Sequence, residues 1–248
     1  MTRWNLGMVI MTVVSTLAVG TAWGAEPKDI TVTKSAEKTP AASVGNVKTG
    51  KILFLGNSIT LHGPLAEIGW TNNWGMAASA QEKDYVHILV RSVSEITGTT
   101  PVIMIENIAD FERGYATYDL ARLKKVFEFK ADTVIVAIGE NVPAAGSEES
   151  KTKFRESVSK LLKALKEAGN PTILVRSSFW PDKTKDEILR EVCADVGGVF
   201  VDISGLSKDE SNYARSEGRY AHAGVAAHPG DKGMQAIASA LLAAIKGH

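Results

Sequence analysis

Three side chains far apart along this 248-residue chain have the types that nucleophilic acyl transfer needs: a hydroxyl at Ser58, a carboxamide at Asn141 and an imidazole at His228. That chemistry requires an activated nucleophile, a base to take its proton, and donors for the oxyanion that develops in the transition state. Each of the three stands among turn-forming residues. Ser58 follows Gly56-Asn57 at the end of the apolar run 52–55, Asn141 follows Gly139-Glu140, and His228 precedes Pro229-Gly230. Taken singly, each has a plain structural use, as a helix-capping serine, a turn asparagine or a solvated histidine. Taken together, they occupy the places where open α/β sheets put their ligands, outside the carboxyl ends of strands.

The elements that must carry them are visible as patterns. Short apolar runs at 52–55, 102–105, 133–138, 172–175 and 199–203 read as strands. Amphipathic periodicity predicts helices over 75–96, 115–128, 150–168, 184–195 and 231–246. Gly98 and Gly169-Asn170-Pro171 stop two of these helices, and Asp231 is expected to cap the last. Strands apolar on both faces, alternating with helices, predict a parallel sheet covered on both sides. Right-handed crossovers then give a three-layer α/β/α sandwich with five strands.

Three blocks resemble those of the SGNH hydrolase (GDSL-type esterase/lipase) superfamily. Gly56-Asn57-Ser58-Ile59 is similar to its GDS(L/I) block, with Asn57 in place of Asp. Gly139-Glu140-Asn141-Val142 is similar to its GxND block, with Val142 in place of Asp, and Ala227-His228-Pro229-Gly230 to its last block. The resemblance covers the chain from about residue 50 onward and implies a flavodoxin-like fold. It implies that Ser58 is the nucleophile, His228 the general base and the Asn141 amide an oxyanion donor. A second block starting at Asn107 implies a backbone oxyanion donor. By count this is the amide of Glu112, or of Gly114 if the loop is two residues longer.

One expected group is missing. The position three residues before His228, where the family carries the triad aspartate, is Val225. Three replacements stay open: a backbone carbonyl from residues 224–226, a carboxylate from elsewhere (Asp202 or, less directly, Glu140), or an impaired site. Glu140 itself reads most simply as a solvated turn residue. The loop 61–74 holds Trp70, Asn73 and Trp74, a mix suited either to a sugar or to pinning the loop on the core. His62 and His222 are rim residues without an assigned role. Arg113 is either a substrate contact or a surface charge.

Composition bounds the remaining classes. Residues 1–24 read as an export signal, with Arg3 before an apolar stretch and a small-x-small pattern ahead of Ala25. That stretch is short and interrupted for a membrane span, although its retention as an anchor stays open. Residues 25–49 read as a flexible polar leader and 50–248 as one domain. Loss of Arg3 with the signal leaves 27 basic against 28 acidic residues, which gives no electrostatic reason for a nucleic-acid or anionic-lipid partner. The single cysteine, Cys193, reads as a buried small hydrophobe. There is no P-loop, dinucleotide fingerprint or zinc motif, so no cofactor or metal is expected. The expectation is a periplasmic or secreted serine esterase acting on a small-molecule or glycan ester, with an acetylated carbohydrate preferred. The rival expectation is a non-catalytic glycan-binding or envelope-assembly protein on the same fold.

Overall fold

Alternation of apolar side chains along the strands decides where the layers lie. The computed structural model describes residues 42–248, so the readings of 1–24 and 25–41 fall outside the described residues. A short antiparallel hairpin, β1 (Ser43–Val44) and β2 (Val47–Lys48), comes first. Five strands then form one parallel sheet: β3 (Lys51–Gly56), β4 (Val102–Asn107), β5 (Thr133–Ala137), β6 (Thr172–Arg176) and β7 (Val199–Val201). Their spatial order is β4-β3-β5-β6-β7. This is the flavodoxin-like order, and the chain reverses direction across the sheet between β3 and β5.

On one face, Ile52, Phe54, Ile135 and Leu174 pack against α1 (Tyr85–Thr97) and α7 (Asp231–Gly247). On the other, Leu53, Leu55, Val134, Val136, Ile173 and Val175 pack against α4 (Glu148–Gly169) and α5 (Lys183–Asp195). Alternate residues of β3 thus serve opposite layers, the period-two rule of a strand covered on both sides. Cys193 is fully buried in the second layer, where desolvation pushes its thiol up to about 11. Among the described residues, no helix is long and apolar enough to cross a membrane.

Several boundaries differ from the periodicity reading. Helix α1 starts at Tyr85 rather than 75, because the Asp84 carboxylate caps it by accepting from His87 N at 2.8 Å. The preceding segment is held as a loop, with Gly75 N bound to Asp84 Oδ2 and Met76 N to Ser58 O. The expected helix 115–128 is two 3-10 turns leading into α3 (Lys124–Phe129), and α2 (Ala109–Gly114) forms where a loop was expected. A four-residue helix, α6 (Ala223–Ala226), precedes His228. The cap of α7 is Gly230, since Asp231 lies in its first turn and uses its carboxylate on Ser79 N, Ser79 Oγ, Lys83 and Arg219.

The leader reading also ends too late. Residues 43–48 form the hairpin, whose Val44 and Val47 are buried in the α1/α7 layer, and Thr133 Oγ1 donates to Lys48 O at 2.6 Å. Two valines flanking a Gly45-Asn46 turn were too short a signal to register as strands. Val47→Asp buries a charge without a partner and should lower the unfolding free energy by about 2–4 kcal/mol in a denaturant titration. A free leader would give a change within about 0.5 kcal/mol.

Candidate active site

Register brings the site together. Gly56 is paired with Asn107 on one side and Ala137 on the other, so three strands end at one level. The segments that follow them carry Ser58, Asp110 and Asn141 into one cavity of about 460 Å³, which His228 closes from the loop before α7. A β-carbon at Gly56 would overlap Thr60 Oγ1 and come within 3.0 Å of the Ala137 carbonyl, so only glycine lets the chain turn there. Gly139 is held at φ +130, where a side chain would also overlap Ser178 Oγ. The Asn57 carbonyl accepts from Thr60 N and Leu61 N, which closes the turn bearing Ser58. The Ser58 N–H has no protein partner among the described residues.

Ser58 Oγ lies 2.8 Å from His228 Nε2. On the far side of the ring, His228 Nδ1 lies 2.7 Å from the carbonyl of Gly224. A carbonyl only accepts, so Nδ1 carries the proton and Nε2 is bare to take one from Ser58. The donated-to carbonyl belongs to α6, whose end leaves it without a backbone partner, since His228 N turns instead to Val225 O at 3.0 Å. His222 caps α6 by accepting from Val225 N at 3.4 Å. Val225 itself is buried with Trp70, Met76, Ala77 and Ala214, which explains its apolar type. Trp180 meets the His228 ring edge-to-face at 5.3 Å. Burial pulls the His228 pKa below the usual imidazole range, and its bond to Gly224 offsets this only in part.

The Asn141 side chain is held at both ends. Its Nδ2 donates to Glu112 Oε2 at 2.8 Å, and its Oδ1 accepts from Arg113 at 3.2 Å. One of its two Nδ2 hydrogens is thereby left uncommitted on the cavity side. The Ser58 amide and the second Asn141 hydrogen are thus two uncommitted N–H donors on residues that line the same cavity.

Other expected residues are placed differently. The Glu112 amide is spent inside α2, donating to Ile108 O at 3.2 Å, so it is no oxyanion donor. Glu112 instead brings a fully buried carboxylate that accepts from Gly139 N, Asn141 N, Asn141 Nδ2 and Asn57 Nδ2. Gly114 closes α2 on the exposed side and does not line the cavity. Asp202 binds Arg190, Ser177 and Ser204 N on another part of the surface and is not the partner of His228. Glu140 is no solvated turn residue: its side chain is 2% exposed and forms a 2.6 Å ion pair with the wholly buried Arg176. It also accepts from Phe179 N at 2.9 Å and Asn57 Nδ2 at 2.7 Å.

Trp70 is completely buried, with Nε1 donating to His62 O, and Trp74 Nε1 donates to Ala78 O, so both indoles fasten the loop rather than face the cavity. Asn73 is exposed and off the cavity lining. His62, His222, Asp110 and Arg113 do line it, the Asp110 charge being countered by Arg122 at 2.5 Å. The residues missed from sequence were Arg176 and Trp180, whereas the Gly224 carbonyl falls within the 224–226 segment left open as a replacement for the triad acid. Among the described residues, no group of three or more His, Cys, Asp or Glu is arranged to hold a metal ion.

With sheet order and strand-end placement established, the fold is that of the SGNH hydrolases. Neither a family model nor a curated protein matches the sequence. Solved structures do. A GDSL-like lipase from Bacteroides uniformis is similar over 81% of this chain and 97% of its own, with a TM-score of 0.54 at 14% identity. A GDSL-like lipase from Bacteroides ovatus matches 81% of this chain and 99% of its own, with a TM-score of 0.54 at 13% identity. A carbohydrate esterase described as having divergent catalytic and non-catalytic binding functions matches 81% of this chain and 69% of its own, with a TM-score of 0.51 at 13% identity.

Two measurements check the geometry through the reactivity of Ser58 toward a fluorophosphonate. Because burial disfavours the imidazolium, the bare Nε2 persists to lower pH than in an exposed histidine. The rate of labelling should therefore fall to half at a pH below about 6.5 as acid protonates His228. Asp202→Asn should leave that rate within about twofold of wild type, since a group unconnected to the base contributes little. A larger loss would return Asp202 to the site.

Proposed function

We propose that this protein is an exported serine esterase that hydrolyses carboxylic esters through an acyl-enzyme, with acetylated carbohydrates as its substrate class. The observation that carries the reading is the 2.8 Å contact between Ser58 Oγ and the bare Nε2 of His228, fixed by Gly224. In this mechanism His228 takes the Ser58 proton as Oγ attacks the ester carbonyl. The Ser58 amide and Asn141 Nδ2 stabilise the oxyanion. The imidazolium then returns its proton to the departing alcohol, and a water deprotonated by His228 releases the acid. Loss of the Asn141 donor would cost on the order of 100- to 1000-fold in turnover.

A sugar ester is supported by the polar lining of the cavity, with Asn107, Asp110, Arg113, His62 and His222 among its walls, and by the carbohydrate esterase among the similar folds. Export rests on the first 24 residues of the sequence. The second reading, a glycan-binding protein without turnover, is favoured by one observation: the partner of His228 Nδ1 is a neutral carbonyl rather than a carboxylate. Acetate release from p-nitrophenyl acetate and from acetylated xylan separates the two. The esterase reading expects release by the wild type, lowered at least about 1000-fold in Ser58→Ala and in His228→Ala. Folded wild type that binds the oligosaccharide and frees no acetate would establish the second reading instead.

A further inference from the structure

We propose that Glu112 and Arg113, consecutive residues of α2, are positioning residues that fix which way the Asn141 carboxamide faces. The inference rests on the esterase reading, in which that amide is an oxyanion donor. A carboxamide is nearly symmetric in shape, so packing alone does not decide which end is oxygen and which is NH2. Its neighbours here do. Glu112 Oε2 faces Asn141 Nδ2 at 2.8 Å, and the Arg113 guanidinium faces Asn141 Oδ1 at 3.2 Å. An ionised carboxylate only accepts and a guanidinium only donates. A flipped amide would set oxygen against oxygen at Glu112 and donor against donor at Arg113. The clamp therefore keeps the free Nδ2 hydrogen on the cavity side before any substrate arrives, and such preorganisation is what gives an oxyanion donor its value.

The anchoring of Glu112 supports the same role. Its Oε1 accepts from Gly139 N at 2.6 Å, Asn141 N at 3.2 Å and Asn57 Nδ2 at 3.3 Å, so every neighbour in the clamp presents a donor. The carboxylate grips the backbone of the 139–141 turn as well as its side chain. Asn57 completes the arrangement, because its second contact, to Glu140 Oε2 at 2.7 Å, bridges two carboxylates with one NH2. Aspartate at 57, the residue usual in the resembled block, would place a third carboxylate against them. Asn57 is thus the counterpart that lets Glu112 stand behind Asn141.

A double-mutant cycle on the purified full-length protein tests the clamp. With p-nitrophenyl acetate, Glu112→Gln keeps the size but turns an NH2 toward Asn141 Nδ2. It should lower kcat by about 10- to 100-fold while KM stays within about threefold. In an Asn141→Ala background the same change should alter kcat by less than about twofold, because the group it positions is gone. The Arg113 side chain is exposed, so Arg113→Met keeps the test available where Glu112→Gln does not fold. It should lower kcat about 3- to 10-fold, again only with Asn141 present. Full effects persisting without Asn141 would overturn the clamp. A second readout is independent of turnover: of the two Asn141 Nδ2 hydrogens in a nitrogen-15 spectrum, the one bonded to Glu112 should be protected from exchange, and should lose that protection in Glu112→Gln. A wild type with that hydrogen protected but no ester hydrolysis would sink the esterase and leave the clamp. An active wild type with additive variants or with that hydrogen unprotected would sink the clamp alone.

Discussion

The bond between His228 Nδ1 and the carbonyl of Gly224 is the constraint on which the orientation and tautomer of the imidazole beside Ser58 depend. A neutral imidazole has one proton and two nitrogens, and the base facing Ser58 must be the nitrogen without it. In the usual triad an aspartate sets that tautomer and also stabilises the imidazolium by its charge. Here the end of α6 performs the first task with a group that any peptide chain supplies. A carbonyl dipole contributes less than a full charge to the second task. The burial that pulls the His228 pKa down acts in the same direction, toward a neutral base and a costlier imidazolium. Both effects favour the neutral imidazole over the imidazolium.

A second set of charges lies behind Asn57, the neighbour of Ser58. Arg176 and Glu140 are both buried, and the guanidinium Nε and Nη2 have no partner among the described residues. Burial by itself would raise the Glu140 pKa, but Arg176, Phe179 N and Asn57 bring it below the usual carboxylate range. Glu112 is pushed the other way, first by burial and then by the charge of Glu140. Removing one partner of such a buried pair leaves an uncompensated charge and typically costs about 3–5 kcal/mol. The cluster therefore gives the turn between Asn57 and Ser58 a rigid floor, at the cost of holding two acids close together.

Much of the fold was legible because it rests on patterns longer than any local accident. Apart from Thr133 and Thr172 at their first positions, the runs 52–55, 133–138 and 172–175 are apolar throughout, as a strand covered on both faces requires, and the helices at 150–168 and 231–246 keep their period for four turns or more. Ser58 and Asn141 were legible because their blocks stand at strand ends, and His228 because its block stands on the loop before the last helix. The hairpin was lost because two-residue strands carry no period. The loop tryptophans were ambiguous because stacking on a sugar and packing on a core ask for the same side chain. Glu140 was misread because an acid in a turn is exposed by default, and Glu112 because its loop is helix α2, which spends its amide; the burial of both carboxylates depends on donors brought from elsewhere in the fold. For Glu112 these come from Asn57, Gly139 and Asn141; for Glu140 they come from Arg176, Phe179 and Asn57.

The departures from the resembled blocks are not independent defects. Val225 replaces the triad acid, yet it packs with Trp70 in an apolar cluster where a carboxylate would be stranded. The same short helix that buries Val225 presents the Gly224 carbonyl to His228. Asn57 replaces the acid of the first block, and its side-chain NH2 donates to both Glu112 and Glu140. Restoring aspartate at either place would therefore conflict with its surroundings rather than complete a triad. Each substitution is matched by a neighbour whose chemistry suits it, so that local choice and surrounding structure agree at both positions.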